Sequence, residues 1–165
     1  MRILSDEQIK RKLARLAVEI LATHVEHSRL YLLGINNNGY TTARELQRLI
    51  EAEQTPLEVE LLHLRLSPAD PLNSGTELDG NLAELQGAHV LIVDDVANTG
   101  RTALYAMKPL LDILPASVEV AVLVDRKHKR FPIASDYVGL TLSTTLQEEI
   151  RVHYEREGHW YVEVF

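Results

Sequence analysis

The first apolar residues of the chain recur at helical spacing. Ser5 and Gln8 precede them in the arrangement of a capping box, in which each side chain accepts the backbone N–H of the other residue. The apolar positions that follow are Ile9, Leu13, Leu16, Ala17, Ile20 and Leu21. Because residues three or four apart share one face of a helix, this pattern predicts an amphipathic helix over about 6–23.

Short apolar runs further along the chain predict buried strands. They are Leu30–Ile35, Val59–Leu64, Val90–Val93 and Val118–Val124. Continuous apolar strands separated by helices are typical of a parallel sheet that is covered on both faces. Two shorter strands, 150–155 and 160–165, flank Glu157-Gly158 and predict a hairpin. We therefore expect a single α/β domain over 1–165, with a mainly parallel central sheet and helices on both faces.

Polar positions between the strands indicate where the remaining helices begin. Asn36–Gly39 is expected to form a turn, after which Thr42 and Glu45 cap a helix. The inner face of that helix is Ala43, Leu46, Leu49 and Ile50. Another helix is expected at about 101–114, ended by Pro115.

Residues 66–86 carry little hydrophobic periodicity and many turn formers. The turn pairs and triplets are Ser67-Pro68, Asp70-Pro71, Asn73-Ser74-Gly75 and Asp79-Gly80. A loop of this length inside a compact domain is usually functional or disordered. We expect 66–86 to be a mobile lid.

Composition narrows the class of protein. The chain has 165 residues, of which 45% are hydrophobic and 25% charged, as in ordinary globular proteins. The absence of cysteine excludes disulfides, thiolate metal sites and a cysteine nucleophile. A net charge of −7 does not favour nucleic acid or anionic membranes as partners. The N-terminus turns polar at once, and no apolar run approaches the roughly 20 residues of a membrane span. We expect a cytosolic protein without a membrane partner.

The stretch Val90–Thr102 combines a buried strand with groups that bind phosphate and hydroxyls. Asp94 and Asp95 follow the strand at its carboxyl end, where ligands sit in open α/β sheets. The next residues, Ala97–Thr102, lead into a helix, and successive N–H groups at such a turn form an anion cradle. Carboxylates accept hydrogen bonds only, which suits ribose hydroxyls. Together these features describe a ribose 5-phosphate site.

Two other interpretations fit the acidic pair alone. Asp94 and Asp95 could cap a polar strand-to-helix turn, or form an acidic pocket like that of a response regulator. The whole thirteen-residue string Val90–Thr102, however, resembles the phosphoribosyl-diphosphate (PRPP) motif of type I phosphoribosyltransferases. That resemblance implies the type I phosphoribosyltransferase fold.

The resemblance extends to the PyrR family, pyrimidine-operon attenuation regulators that also have uracil phosphoribosyltransferase activity. The segments Ala121–His128 and Pro132–Gly139 are similar to the corresponding PyrR segments. Ile3–Ser5, Leu32–Gly39 and Arg65 also fall in register with that family. The similarity covers most of the chain and is weakest in 66–88 and the last fifteen residues.

The family resemblance implies a role for each matched residue. Asp94 and Asp95 would bind the ribose hydroxyls and, with Arg65, make up the catalytic residues. The 5-phosphate set is Ala97, Asn98, Thr99, Gly100, Arg101 and Thr102. The pyrophosphate set is Gly34, Ile35, Asn36, Asn37, Asn38 and Gly39. The base set, within a small hood over 124–140, is Val124, Asp125, Arg126, Pro132, Ile133, Asp136 and Tyr137. Mg²⁺ would arrive with PRPP, so no side chain is assigned as a fixed metal ligand.

The implied reaction moves ribose 5-phosphate from PRPP to a nucleobase and releases pyrophosphate. Two departures from the family pattern bear on it. Asn36–Asn38 stand where PyrR proteins carry Lys and Arg, which either weakens turnover or reflects the tolerance of Asn for left-handed turns. Asn98 stands where purine-type relatives carry a proton-accepting Asp. The second departure argues against a purine, and the PyrR-like hood favours uracil, giving UMP.

A nucleotide-sensing, RNA-binding regulator of pyrimidine genes is the alternative function. Its sequence support is one basic run, Arg126–Arg130, which equally fits an exposed turn that attracts anionic PRPP. We favour the enzyme, and the resemblance alone implies a homodimer. The seven histidines form no helical metal pair and no His-Glu-x-x-His pattern, so we expect structural or surface roles for them rather than zinc ligation.

Overall fold

The structure is a computed structural model that describes residues 1–73, 75–145 and 147–165. Its helices are α1 (Asp6–His24), α2 (Asn36–Glu51) and α3 (Arg101–Ala106), with 3₁₀ helices at Leu82–Leu85 and Lys108–Asp112. Its strands are β1 (Arg2–Leu4), β2 (Arg29–Ile35), β3 (Glu58–Leu66), β4 (Thr76–Asp79), β5 (His89–Ala97), β6 (Ser117–Arg126), β7 (Tyr137–Leu142), β8 (Ile150–Tyr154) and β9 (Trp160–Val164).

A six-stranded sheet in the order β4-β3-β2-β5-β6-β7 forms the centre of the molecule. Its strands are parallel apart from β4, which pairs antiparallel with β3. The apolar runs that predicted buried strands lie in β2, β3, β5 and β6, the inner four of the six. The predicted mainly parallel α/β sheet is therefore confirmed.

Two apolar layers cover the sheet. Residues of α1 and α2, such as Leu16 and Leu46, share one buried cluster with Leu91 of β5. Ala106 of α3 and Leu110 of the second 3₁₀ helix join another cluster with Ile92. Because neighbouring residues of β5 point to opposite faces, one strand contributes to both layers.

A second, antiparallel sheet in the order β1-β9-β8 lies beside the carboxyl ends of the central strands. The hairpin of β8 and β9 confirms the one predicted around Glu157-Gly158. β1 was not predicted, since three residues are too few to show a period. Its partner is β9, so the two ends of the chain are held together.

The start of α2 corrects one prediction. The helix begins at Asn36, so Asn36–Gly39 is its first turn and not a turn before it. Thr42 does not cap the helix, because it lies buried inside it with its hydroxyl donating to the Asn38 carbonyl at 2.9 Å. Gly39 explains the close packing of this turn: a Cβ there would lie 2.6 Å from the Val93 carbonyl oxygen.

Three other segments also differ from their predictions. The helix expected at 101–114 ends at Ala106 and continues as a 3₁₀ helix, because Pro109 has no N–H to donate. Within 66–86 the chain forms β4 and a 3₁₀ helix, so this segment is not an unstructured loop. Ser74 of the predicted lid lies outside the described residues. Strand β7 was missed within the predicted hood.

Among the helices of the described ranges, none has the length and apolar character needed to cross a membrane.

Candidate active site

The acidic pair lies where β5 passes the carboxyl end of its neighbour β2. Asp94 and Asp95 are both half-buried. The Asp95 N–H donates to Asp94 Oδ1 at 2.9 Å, and the Val96 N–H donates to Asp95 Oδ1 at 2.8 Å. The Asn38 amide donates to Asp95 Oδ2 at 2.9 Å. These bonds fix the direction of both carboxylates.

The environment of Asp94 is unfavourable for a negative charge. Burial raises the pKa of the Asp94 carboxyl well above its usual range, and the neighbouring Asp95 charge raises it further. The charged form of a carboxylate in such surroundings is stabilised when a cation or a hydroxyl donor approaches. The pair is therefore prepared to receive a ligand that supplies one of these groups.

The predicted 5-phosphate loop connects β5 to α3 by a tight turn. Gly100 adopts φ +88°, the left-handed region in which glycine carries no steric penalty. The Thr99 carbonyl accepts the backbone N–H groups of Arg130 and Phe131, at 2.9 and 3.1 Å. This loop and Asp94 line a cavity of about 440 Å³. The sheet edge thus brings an acidic group and a helix-start turn to one cavity, as the sequence predicted.

The asparagine turn is held by its first residue. Asn36 adopts φ +52°, and its side-chain oxygen accepts the Leu66 N–H at 3.0 Å. This agrees with the interpretation that Asn at 36 serves backbone geometry. Asn37 and Asn38 are exposed, so a bound group can reach both amides.

A cavity of about 550 Å³ joins these parts. Asn36–Asn38, the acidic pair and Thr102 line one side of it. Arg151 and His153 of β8 line it as well, and the sequence analysis did not include them. The alternation of β8 hinted at one polar face, but only the docking of the small sheet shows that this face meets the cavity. Arg151, which pairs with Glu149 at 2.9 Å, and His153, whose Nε2 lies 3.3 Å from Glu163, bring nitrogen atoms to a cavity whose asparagine turn has no cation.

Arg65 and the predicted lid lie at the margin of this cavity. Arg65 is exposed, contacts His63 Nδ1 at 3.2 Å and lines an adjoining cavity with Asn36 and Asn37. Arg101 Nη2 donates to the Pro68 carbonyl at 2.5 Å. The start of the lid segment therefore contacts the start of α3.

Val124, Asp125 and Arg126 of the predicted base set lie near the site, but the two charged side chains bond to other residues of the chain. Val124 is buried in β6, and Asp125 pairs with Lys129 at 2.6 Å. Arg126 donates to Thr144 Oγ1 at 2.7 Å and to Asn98 Oδ1 at 3.3 Å.

The remaining members of the base set divide into two groups. Pro132 is exposed, and Ile133 is buried with its Cβ 3.1 Å from the position of a Cβ on Gly100. Ile133 therefore packs against the predicted phosphate loop.

The assignment of Asp136 and Tyr137 to the base set is wrong. Asp136 Oδ2 accepts the Val120 N–H at 2.8 Å, and the Tyr137 hydroxyl donates to Glu119 at 3.0 Å. β7 starts beside the middle of β6, so these two side chains point toward the opposite edge of the sheet. Of the segment 124–140, only the part before β7 lies near the cavity.

A parallel sheet with an acidic pair beside a phosphate-type turn defines the class of the protein. The family model described as "Phosphoribosyl transferase domain" matches residues 2–155. The chain belongs to the phosphoribosyl transferase family, and the predicted family and enzyme class are confirmed.

The similar proteins agree with this assignment. "Bifunctional protein PyrR" of Alkaliphilus metalliredigens is 36% identical over 159 residues, covering 91% of this chain and 86% of that protein. Its Deinococcus radiodurans namesake is 35% identical and covers 99% and 93%. The hypoxanthine phosphoribosyltransferase structure of Trypanosoma cruzi superposes with a TM-score of 0.75 at 21% identity, covering 98% and 94%. At that identity the superposition establishes the fold alone.

Proposed function

We propose that this protein transfers ribose 5-phosphate from PRPP to uracil, giving UMP and pyrophosphate. Membership of the family accounts for the use of PRPP and a base. The choice of uracil, the Mg²⁺ that accompanies PRPP, a homodimeric assembly and a cytosolic location are parts of the proposal.

One observation carries the proposal: Asp94 and Asp95 share a cavity with Thr102, at the start of α3. Hydroxyl donors of a ribose would lie at the two carboxylates while its 5-phosphate meets the N–H groups of the loop. The pyrophosphate of the bound PRPP would then lie against the asparagine turn, Asn36–Asn38. The chain's contribution to the reaction is to hold these groups in line and to keep water from an oxocarbenium-like centre. Movement of the part of the predicted lid between β3 and β4 would complete that exclusion.

The donor set at the cavity fits Mg²⁺. Carboxylate oxygens of Asp94 and Asp95 are ligands of the type that this ion prefers, and both residues line the cavity. The raised pKa of Asp94 is consistent with a carboxylate that functions beside a cation. When bound, Mg²⁺ would neutralise the pyrophosphate charge.

The preference for uracil rests on Asn98. An amide has no pKa in the range needed to accept a proton from a purine ring. Asn98 is exposed at the cavity and receives a bond from Arg126 at 3.3 Å. A pyrimidine that is held by amide and guanidinium hydrogen bonds suits this pair.

A nucleotide-sensing, RNA-binding regulator is the second candidate, and the asparagine turn favours it. A turn with amides in place of cations binds phosphate but stabilises a leaving pyrophosphate less. The basic run gives less support for RNA. Lys129 pairs with Asp125, and Arg126 is bound to Thr144 and Asn98, so only part of the run faces solvent.

Pyrophosphate release from PRPP and Mg²⁺ tests the two candidates. Uracil, hypoxanthine, guanine and orotate are supplied separately, and PRPP and UMP binding are measured by calorimetry. Release with uracil alone is the expected result. Release with a purine instead would overturn the choice of base. Tight UMP binding with no release for any base would favour the regulator, and light scattering of the same sample tests the dimer.

A further inference from the structure

Three histidines from separate elements meet at the amino-terminal edge of the central sheet. His24 ends α1, His27 lies in the connection from α1 to β2, and His89 begins β5. One ring nitrogen of each lies within 4.8 Å of the others. The chain enters its parallel strands at this edge, which brings the three together on the side opposite Asp94.

The bonds of His24 define which of its nitrogens is available. Its Nε2 lies 2.5 Å from Glu119 Oε1, and Glu119 also accepts the Tyr137 hydroxyl. A carboxylate accepts only, so Nε2 carries the proton and the lone pair lies on Nδ1. That Nδ1 accepts a hydrogen bond from Nδ1–H of His27 at 3.0 Å, and a metal bound between the two nitrogens would displace this proton. Two nitrogens on one tetrahedral Zn²⁺, each at about 2.0–2.1 Å, are separated by roughly 3.3 Å.

His89 is oriented in the same manner from the other side. Its Nδ1 bonds to Ser117 Oγ at 2.8 Å, which leaves Nε2 as the second nitrogen. Its ring stacks on His27 with centroids 3.7 Å apart.

We propose that His24, His27 and His89 form a Zn²⁺ site, independent of the phosphoribosyl site. Nδ1 of His24, Nδ1 of His27 and Nε2 of His89 are the ligands. Glu119 is a positioning residue, since a carboxylate on the far nitrogen of a ligating imidazole fixes its tautomer and orientation. The His27 ring must turn out of its stack to direct its lone pair at the ion, and its position in a connection rather than a helix permits this.

The site has a route for the ion and room for a fourth ligand. His27 and His89 line a cavity of about 630 Å³ that also contains Glu58 and Glu84. Three protein ligands and one position open to water make up a common zinc arrangement. Glu58 pairs with Arg29 at 2.6 Å, whereas Glu84 is exposed at the cavity wall and would attract a divalent cation to it.

Calorimetric titration of the tag-free protein with Zn²⁺ tests the proposal. We expect one ion per chain, and His27→Gln and His89→Gln each to weaken binding at least roughly tenfold. Zn²⁺ at about 100 times its Kd should raise the melting temperature by roughly 5–10 °C. Mg²⁺ in excess should not compete, because imidazole is a poor ligand for it.

His159→Gln is the matched control, since His159 is exposed and pairs only loosely with Asp6 at 3.6 Å. It should bind Zn²⁺ like the wild type. Circular dichroism establishes that each variant is folded, and Glu119→Gln, which keeps an acceptor for His24, should weaken binding less than the ligand variants. The site is refuted if folded His27→Gln and His89→Gln both keep wild-type affinity, or if the wild type binds no Zn²⁺.

Discussion

The polar groups at the two edges of the central sheet differ in their hydrogen-bond partners. At the carboxyl edge, Asp94 and Asp95 lie side by side, and their bonds come from backbone N–H groups and one amide. At the amino edge, Glu119 joins His24 and Tyr137 in a chain of internal hydrogen bonds. The first edge presents two carboxylates to a bound group, whereas the carboxylate of the second edge, Glu119, has both of its partners within the chain.

This difference separates stability from function along each strand. A carboxylate that is held half-buried beside another carboxylate destabilises the folded chain until a ligand arrives. A carboxylate that accepts from a tyrosine and a histidine contributes to the fold. Substitutions of the acidic pair should therefore weaken ligand binding without loss of stability, whereas substitutions around Glu119 should lower stability and leave ligand binding unchanged.

The largest effect is expected from replacing both acidic residues. Asp94→Asn with Asp95→Asn removes two charged acceptors, each worth about 1.5–3 kcal/mol in a hydrogen bond. PRPP affinity and pyrophosphate release should fall by about 100-fold or more. Calorimetry with PRPP and Mg²⁺ measures the first and a coupled assay the second.

Asp112→Asn supplies the control for that double variant. Asp112 is exposed at the end of the second 3₁₀ helix, which packs beside the amino edge of β5. It should leave PRPP affinity unchanged. A folded double variant that keeps wild-type affinity would remove Asp94 and Asp95 from the ribose site.

A gain of activity is expected from restoring charge to the asparagine turn. Asn37 is exposed at the cavity, so Asn37→Arg should place a guanidinium beside the pyrophosphate and speed release about tenfold. Asn36→Arg is the matched comparison. It loses the acceptor for the Leu66 N–H and strains φ +52°, and should destabilise the fold by about 1–3 kcal/mol. If Asn37→Arg leaves the rate unchanged, the missing charge does not limit turnover.

A smaller effect, on stability, is expected from Asp94→Asn alone. Because the folded pKa of Asp94 is raised, its ionisation removes stability as the pH rises from its unfolded value of about 3.9 through the folded one. The ligand-free variant should therefore melt higher than wild type at neutral pH, and the gap should close at acid pH. Each kcal/mol corresponds to about 2–4 °C in a chain of this size. A lower melting temperature at neutral pH would contradict the assigned environment.

Local patterns predicted much of this structure, and long-range contacts account for the misses. Neighbouring residues alone are enough to predict the buried strands β2 and β5 and the capped start of α1. The acidic pair and the Thr99-Gly100 turn were found because they are contiguous with β5.

The misses follow from contacts between distant segments. Arg151 and His153 reach the cavity only because β8 docks there, which no local pattern reveals. The sequence predicted a turn at Asn36 because no capping side chain marks the start of α2. The structure shows that the helix begins there, with Asn36 in the left-handed region. The family resemblance placed Tyr137 in the base set, but the pairing of β7 with β6, which the sequence analysis did not predict, decides where its side chain points.

Tyr137→Phe gives the smallest effect and tests the corrected position of this residue. It removes the bond to Glu119 and should destabilise the fold by about 0.5–1.5 kcal/mol, while the choice of base and the rate of pyrophosphate release stay unchanged. Burial raises the pKa of Tyr137 to about 12, so its ionisation costs the wild type stability as the pH rises between 10 and 12. The Phe variant lacks this group, and its denaturation midpoint should fall less steeply over that interval. A change in base selectivity with stability unaltered would return Tyr137 to the carboxyl edge.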